Sequence, residues 1–359
     1  MCGEGSIYTS SRTIPVISEH RATMSGMKRI PSLDGLRAIS VSLVLIGHLA
    51  HSGLLPAFLS TYTGSGVKMF FVISGYLITN ILLQEHSRTS SVNLGQFYIR
   101  RGYRILPAAG VFILFACLAY WRELHWYDMC AAFFYLMDFS RNPPPVLAHL
   151  WSLAVEEQFY LLWPNLLKRF YRHRVAILLG GVLISPLYLS LCFYLKLPRA
   201  RYGTFPAVVD TLAIGCLLAI FSAKIPRINA FWASVMLLSI ILMPFFPAIT
   251  YARTLFGLFV LSPIMFFSMA GLITHVVQTP YRILNIAPVV WLGRISYSLY
   301  LWQQPFFFHS SPLPIYKLAL GVGLACLSYY LVERPFLKLR EKRNASIGSG
   351  PDLKTPEPA

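Results

Sequence analysis

Long apolar stretches alternate with short polar segments along most of the chain. A helix rises ~1.5 Å per residue, so about 20 apolar residues are needed to cross ~30 Å of hydrocarbon. Ten stretches approach or reach that length: 34–52, 66–84, 105–121, 149–167, 174–196, 205–222, 229–250, 254–277, 288–309 and 313–333. The pattern therefore predicts an all-α protein, a polytopic transmembrane helix bundle of about ten spans.

One further apolar stretch, 126–139, is shorter than the others and carries Asp128 and Asp138. At ~1.5 Å per residue a helix of this length would not cross the hydrocarbon layer. We therefore expect an interfacial or re-entrant segment here.

The composition and the distribution of charge agree with a membrane protein. Hydrophobic residues make up 56% of the chain and charged residues 13%, whereas a soluble domain has about twice that charge. The net charge of +17 would suit nucleic acid, but the basic residues lie in short loops between the apolar stretches. With the N-terminus inside, 23 of the 31 Lys and Arg residues fall on the inner side. This bias predicts cytoplasmic N- and C-termini and anionic lipid or a cytosolic anion, not nucleic acid, as the partner.

The chain divides into three parts by composition. Residues 1–29 are polar and lack an apolar signal sequence, so they are predicted to be a disordered cytoplasmic segment. Residues 30–340 form the predicted transmembrane domain, and 341–359 a disordered cytoplasmic tail. The six cysteines include no CxxC pair, so neither a disulfide framework nor a metal site is predicted.

The first apolar stretch carries Arg37 and His48. Their spacing of eleven residues is just over three helical turns, so the two side chains share a face, ~16 Å apart along the axis. An ionisable group inside a span is costly and indicates a functional site, and histidine exchanges protons near neutral pH. The alternative is that Arg37 snorkels to an interface while His48 forms a helix–helix hydrogen bond. The spacing alone leaves both open.

A basic cluster precedes the third stretch. Arg100, Arg101 and Arg104 are three or four residues apart, so a helix presents them together on the predicted inner surface. Guanidinium groups suit phosphate binding by geometry and charge. Contact with lipid headgroups is the alternative.

Acidic residues lie in the fourth stretch and at the end of the tenth. Glu156 is four residues after Ser152 and shares its helix face, where it could orient a catalytic histidine or pair with an arginine of another helix. Glu333 and Arg334 at the end of the last stretch are predicted to form a structural ion pair.

Six motifs, in this order, carry a resemblance to a known family. They are Leu33-Asp34-Gly35-Leu36-Arg37 with ten residues before His48, Phe70-Phe71-Val72-Ile73-Ser74-Gly75, Arg101-Gly102-Tyr103-Arg104-Ile105-Leu106-Pro107, Trp151-Ser152-Leu153-Ala154-Val155-Glu156, and Gly293-Arg294-Ile295-Ser296-Tyr297-Ser298-Leu299-Tyr300-Leu301, followed by Val332-Glu333-Arg334-Pro335-Phe336. Over about residues 30–340 the chain resembles the acyltransferase 3 family of integral membrane acyltransferases. It resembles a stand-alone member, without the appended hydrolase-like domain of some members.

The resemblance implies a transferase that takes an acyl group, usually acetyl, from cytosolic acyl-CoA. The group passes to a hydroxyl of a carbohydrate or glycolipid, usually at the outer face of a bacterial inner membrane, and no permanently bound cofactor is implied. In the family the Arg and His of the first span are essential, which points here to Arg37 and His48. The resemblance also maps the first Glu of the Trp-Ser-Leu motif to Glu156 and the Arg-rich loop to Arg101 and Arg104.

Three positions depart from the family pattern. Lys68 stands where many members have Asp, and Val208, near Asp210, where many have Arg. Gln303 stands where many members have His. Each departure bears on details of the donor or acceptor, and none alters Arg37 or His48.

These inferences combine into one mechanistic hypothesis, a polar cavity lined by spans one, two, four and six. Arg100, Arg101 and Arg104 would hold the CoA phosphates, while Arg37 guides or neutralises the donor. His48, oriented by Glu156, would act as general base on the acceptor hydroxyl or carry the acyl group itself. A transporter or flippase for an anionic or glycan substrate is the main alternative. A purely structural membrane subunit is disfavoured by the charged residues within the spans.

Overall fold

A computed structural model describes residues 31–197, 203–245, 256–307 and 315–348 of the chain. Within these ranges the regular structure is helical, and no strand is present. The α-helices are α1 Pro31–His51, α2 Tyr62–Thr89, α3 Leu94–Ala119, α4 Trp126–Phe133, α5 Pro145–Ala148, α6 Leu150–Arg169, α7 Arg174–Tyr194, α8 Phe205–Phe221, α9 Ala230–Leu242, α10 Ser262–Gln278, α11 Ala287–Phe307, α12 Ile315–Ser328 and α13 Arg334–Gly348. The prediction of an all-α protein is thus confirmed.

Each of the ten apolar stretches overlaps one of these helices. Five helical segments are long and apolar enough to cross a membrane by length and composition: Ser32–His51, Ala57–Thr89, Leu94–Ala119, Tyr171–Tyr194 and Gly257–Gln278. Phe205–Phe221 and Ala230–Phe245 are shorter apolar helices. The chain is therefore a helical membrane protein, while the number of ten spans and the side of the termini stay predictions.

The stretch 126–139 folds as short pieces. Helix α4 has eight residues, and a 3₁₀ turn follows at Met137–Phe139. At ~1.5 Å per residue α4 is about 12 Å long, less than half of a hydrocarbon layer. Asp138 is buried and accepts hydrogen bonds from the Gln158 side chain and the Phe205 backbone, which joins this segment to the middle of α6 and the start of α8.

Helix α1 runs through the centre of the bundle and packs against both α2 and α11. Its core-facing side chains Val41 and Val44 are fully buried. Close packing against α11 depends on Gly293, because a Cβ there would clash with the backbone carbonyl of Asp34. Small residues allow helix backbones to approach closely where hydrocarbon supplies no hydrophobic driving force.

Helices α2 and α8 also pack closely against each other. A Cβ at Gly75 would clash with the Leu212 carbonyl, and a Cβ at Gly215 would clash with the Val72 carbonyl. The two glycines thus face each other across a crossing where the backbones touch.

The predicted boundary at residue 340 falls inside a helix. Helix α13 continues to Gly348, so the first part of the predicted disordered tail is helical, while 1–29 and 349–359 lie outside the described residues. The polarity of this segment suggested disorder, but Lys, Arg and Glu are good helix formers. A charged helix can continue from the last apolar stretch when it lies outside the hydrocarbon.

Candidate active site

A large cavity opens at the end of the bundle where α1 begins and α2 ends. Its volume is about 1570 Å³, and α1, α2, α3, α6, α11 and α13 contribute to its lining. On α2 the lining residues extend from Thr89 to Val67. This distance is about 33 Å at ~1.5 Å per residue. The cavity therefore penetrates to a depth comparable with the ~30 Å hydrocarbon layer.

The hypothesis that spans one, two, four and six line the cavity is right for α1, α2 and α6 and wrong for α8. No residue of α8 is in the lining. The contact between Gly75 and Gly215 places α8 behind α2, on the side away from the cavity. Helices α3, α11 and α13 complete the wall instead.

The opening of the cavity is strongly basic, and we call it the basic mouth. It is lined by Arg88, Arg100, Arg101, Arg104, Lys168, Arg294, Arg334, Lys338 and Arg340. Two of the acidic lining residues near it are Glu85 and Glu341. The excess of positive charge makes the mouth suitable for a polyanionic ligand.

The three predicted arginines of α3 all line the cavity, but their surroundings differ. Arg100 forms an ion pair with Glu85 at 3.1 Å. The guanidinium of Arg101 lies over the ring of Tyr160, 4.5 Å from its centroid. Arg104 faces inward, where its charge acts on Arg37. Arg101 and Arg104 are thus better placed than Arg100 to meet a ligand.

Helix α13 adds a further guanidinium to this group. Burial, followed by the positive charge of Arg104, lowers the pKa of Arg340 below its ordinary value, while Glu341 opposes the shift. Arg101 and Arg100 lower it further. Four guanidinium groups therefore crowd together at the basic mouth, and a bound anion would relieve their repulsion.

Arg37 and Glu156 lie deeper in the cavity. The Nε atom of Arg37 is buried and has no hydrogen-bond partner among the described residues. The negative charges of Glu156 and Asp34 act on its guanidinium, and Arg104 acts with the opposite sign. Glu156 itself accepts hydrogen bonds from Ser74 and Tyr160 through Oε1. These contacts hold the carboxylate on the Arg37 side of the cavity.

Glu333 is a buried carboxylate on the cavity wall, 1% exposed, at the end of a π-helical turn over Tyr329–Glu333. Its Oε2 accepts a hydrogen bond from Ser298 at 2.9 Å, and Arg104 and Arg37 act on its charge. The predicted ion pair with Arg334 is not what the structure shows, because the Arg334 guanidinium lies over the ring of Tyr330 instead. The π turn aims Glu333 inward, and such turns are frequent at functional sites.

Ser152 and Tyr300 close the inner end of the cavity, and we call this pair the cavity floor. Both line the cavity, and their hydroxyl groups are 2.6 Å apart. The Tyr300 hydroxyl also donates to the backbone carbonyl of His149 at 3.1 Å. On α6, Ser152 is one turn beyond Glu156 from the mouth.

His48 lies behind the cavity floor and not in the lining. Its side chain is 7% exposed, and Nδ1 is 2.7 Å from Oε1 of Gln303. An amide oxygen can only accept, so Nδ1 carries the proton and Nε2 keeps its lone pair. The expectation that Glu156 orients His48 therefore gives way to Gln303, which is one turn beyond Tyr300 on α11.

The structure thus brings Arg37, Glu156 and the three α3 arginines to one cavity and places His48 beyond its floor. Sequence reasoning did not identify Gln303, Glu333, Tyr160 or Arg340 as site residues. The only signal for Gln303 was its departure from the family pattern, and Glu333 belonged to a motif interpreted as structural. Within the described ranges, no three His, Cys, Asp or Glu side chains lie close enough to hold a metal ion.

These features define the class of protein: an all-helical membrane bundle around a deep cavity with a basic mouth. The chain belongs to the acyltransferase 3 family, since the family model for this acyltransferase domain matches residues 30–330.

Similar proteins include a peptidoglycan O-acetyltransferase, OatA, of Listeria monocytogenes, 31% identical over 89% of this chain and 57% of the relative. An O-acetyltransferase, also called OatA, of Staphylococcus aureus is 32% identical over 88% of this chain and 58% of the relative. The chain thus spans less than three fifths of the length of these relatives. No solved structure shows significant similarity to it.

Proposed function

We propose that this protein is a membrane O-acyltransferase that moves an acyl group, in the first place acetyl, from acyl-CoA to a sugar hydroxyl. The observation that carries the proposal is the cavity of about 1570 Å³ that leads from a basic mouth to a floor with His48 behind it. A donor with a phosphate-rich head and a thin acyl-bearing arm fits this shape. Membership of an acyltransferase family supports the same reaction.

Acyl-CoA binds with its phosphates at the basic mouth. Arg101, Arg104 and Arg340 supply charge-assisted hydrogen bonds to phosphate oxygens, in planar geometry that suits bidentate contacts. The pantetheine arm extends inward past Arg37 toward Ser152 and Tyr300. Arg37, which has a buried Nε without a partner, guides the donor along the cavity and offsets its negative charge.

His48 activates the acceptor. Its Nε2 takes the proton from the sugar hydroxyl, whose oxygen bonds to the thioester carbonyl carbon while the carbon–sulfur bond breaks. Gln303 accepts from Nδ1 and so selects the tautomer in which Nε2 is the basic nitrogen. Transfer of the acyl group first to His48 and then to the sugar would use the same tautomer. The role of Glu156 changes accordingly: it positions Arg37 and the Ser74–Tyr160 network instead of orienting His48.

The acceptor is a carbohydrate or glycolipid hydroxyl on the side of the membrane opposite to the basic mouth. A similar protein carries the name peptidoglycan O-acetyltransferase, so a peptidoglycan sugar is the first acceptor to test. The charge bias of the loops supports a cytoplasmic basic mouth and cytoplasmic termini, on the side where acyl-CoA is made. The bacterial inner membrane is the matching location.

The test uses the purified full chain in lipid nanodiscs with [¹⁴C]acetyl-CoA and soluble peptidoglycan oligosaccharides. Wild type is expected to form alkali-labile acetyl esters on the saccharide. His48→Asn is expected to lose at least about 100-fold of this activity. His275→Asn is the matched control, because His275 is also buried but is held by Ile228 and Tyr281 away from the cavity.

Two results would count against the proposal. Full ester formation by His48→Asn would remove the histidine from the reaction. Absence of label from every saccharide and lipid acceptor, together with movement of intact saccharide into proteoliposomes, would favour the transporter alternative.

A further inference from the structure

His149 is a second buried histidine close to His48. It stands at the junction of α5 and α6, and its side chain is 4% exposed. A positive charge on His48 acts on the imidazole of His149. Two coupled imidazoles in a site away from water do not both ionise, so they share at most one proton.

The position of His149 connects the cavity floor with His48. Its backbone carbonyl accepts hydrogen bonds from both floor hydroxyls, Ser152 at 3.2 Å and Tyr300 at 3.1 Å. Its ring packs beside Tyr300 and edge-on against Phe112. His149 is therefore fixed at the boundary between the donor cavity and the residue that we propose as the base.

The ring nitrogens of His149 are available for proton exchange. Neither nitrogen has a well-aligned hydrogen-bond partner within the described part of the chain. The backbone of Leu301 is the hydrogen-bonding group that acts on the ring. The Leu301 carbonyl lacks its usual helical donor, because residue 305 is a proline without an N–H. A carbonyl oxygen can only accept, so it favours an N–H on the imidazole nitrogen that faces it.

Burying an imidazole without well-formed hydrogen bonds lowers the stability of the fold. We therefore expect such a group only where it serves a function. Leaving a buried polar group unsatisfied costs about 1–3 kcal/mol. The other buried histidine, His275, shows the usual solution, with both nitrogens hydrogen-bonded to Ile228 and Tyr281. The contrast points to a functional role for His149.

We propose that His149 is a second proton-transfer residue of the acyl-transfer site, working between His48 and the sulfur of the thioester donor. The inference rests on the proposed function. A thiolate leaving into a low-dielectric cavity needs a proton, whereas the proton taken from the acceptor is on His48, behind the floor.

The proton and electron balance is complete without another reactant. The acceptor O–H bond breaks and its proton moves to His48, while the acceptor oxygen forms a bond to the carbonyl carbon. The carbon–sulfur bond then breaks, and its electron pair stays on sulfur. The proton passes from His48 to His149 and on to sulfur at the cavity floor, which forms the S–H bond of CoA. Both histidines end neutral, as they began.

The test varies the leaving group of the donor. Wild type, His149→Asn and His149→Phe are compared with acetyl-CoA and with phenyl thioacetate, whose aryl thiolate leaves without a proton. The acceptor is a soluble peptidoglycan oligosaccharide, and the product is the saccharide ester. His275→Asn serves as the matched buried-histidine control.

Both His149 variants are expected to lose about 100-fold of their rate with acetyl-CoA and to stay within a few-fold of wild type with phenyl thioacetate. Activity with the aryl donor also shows that the variants fold. Equal losses with both donors, or no loss with acetyl-CoA, would overturn the role of His149. If wild type uses only acetyl-CoA, the solvent deuterium isotope effect replaces the comparison, and an unchanged effect in His149→Asn would overturn the proposal. A wild type without transfer from either donor would instead overturn the proposed function.

Discussion

Nδ1 of His48 lies 2.7 Å from the amide oxygen of Gln303, although 255 positions separate the two residues in the chain. The contact joins the end of α1 to the end of α11, beyond the cavity floor. A carboxylate in this place would also stabilise a charged imidazole, whereas a neutral amide mainly fixes the tautomer. Gln303 is thus a positioning residue that acts through His48.

Removing this hydrogen bond is expected to slow the chemical step. In Gln303→Leu the ring of His48 loses the partner that selects Nδ1–H, so kcat is expected to fall about 100-fold while KM for acetyl-CoA changes little. Gln304→Leu is the matched control, since the neighbouring Gln304 donates to the Pro145 carbonyl and does not touch His48. A similar loss in both variants would mean that packing at this end of α11, not the tautomer, controls the rate.

Glu333 is expected to stabilise the folded cavity. The charges of Arg104 and Arg37 act on this buried carboxylate, so Glu333→Gln leaves these positive charges with less compensation. Breaking a buried charge network costs about 3 kcal/mol, which should appear as a lower free energy of unfolding in denaturant titration. Glu341→Gln, at an exposed cavity-lining position, is the control and should stay within about 0.5 kcal/mol of wild type. Equal stability of Glu333→Gln and wild type would contradict this role.

The crossing of α2 and α8 gives a prediction about packing. Gly75→Ala places a Cβ against the Leu212 carbonyl, so the helices must separate and the free energy of unfolding is expected to fall by about 1–3 kcal/mol. Gly180→Ala is the matched control, because a Cβ at Gly180 has no neighbouring atom within 4 Å and alanine favours the helix. Unchanged stability of Gly75→Ala would show that the two backbones are not in contact.

Helix positions and local charge clusters were readable from the sequence because they depend on short-range patterns. The eleven-residue spacing of Arg37 and His48 places both on one face of α1, and Arg100, Arg101 and Arg104 do share one cavity. Local pattern also predicted that the segment around Asp128 is too short to cross a membrane.

The neighbours that meet across helices were not readable, because they depend on how distant faces pack. The partner of His48 is on α11, and Glu333 turns inward only because a π turn precedes α13. Helix α8 was predicted to line the cavity, yet it packs against α2 at Gly75 and Gly215 and is not in the lining. The charged sequence after residue 340 suggested disorder. In the folded bundle helix α13 lines the basic mouth, and this contact cannot be read from the local sequence.

The basic mouth is expected to recognise the phosphates of the donor and not its acyl group. In Arg104→Gln and Arg340→Gln, KM for acetyl-CoA should rise about tenfold, because each change removes a charge-assisted hydrogen bond worth about 1.5 kcal/mol. S-acetylpantetheine has the same thioester and arm but lacks the nucleotide phosphates, so its KM should be high in wild type and unchanged in the variants. Arg122→Gln, an exposed arginine outside the cavity lining, controls for general charge effects.

The decisive quantity is the change in KM for acetyl-CoA compared with the change in KM for S-acetylpantetheine. If KM rises equally for acetyl-CoA and S-acetylpantetheine, Arg104 and Arg340 act on the shape of the cavity and not on phosphate. If added salt raises KM for acetyl-CoA in wild type but less in the variants, the lost interaction is electrostatic, as the crowding of guanidinium groups around Arg340 requires.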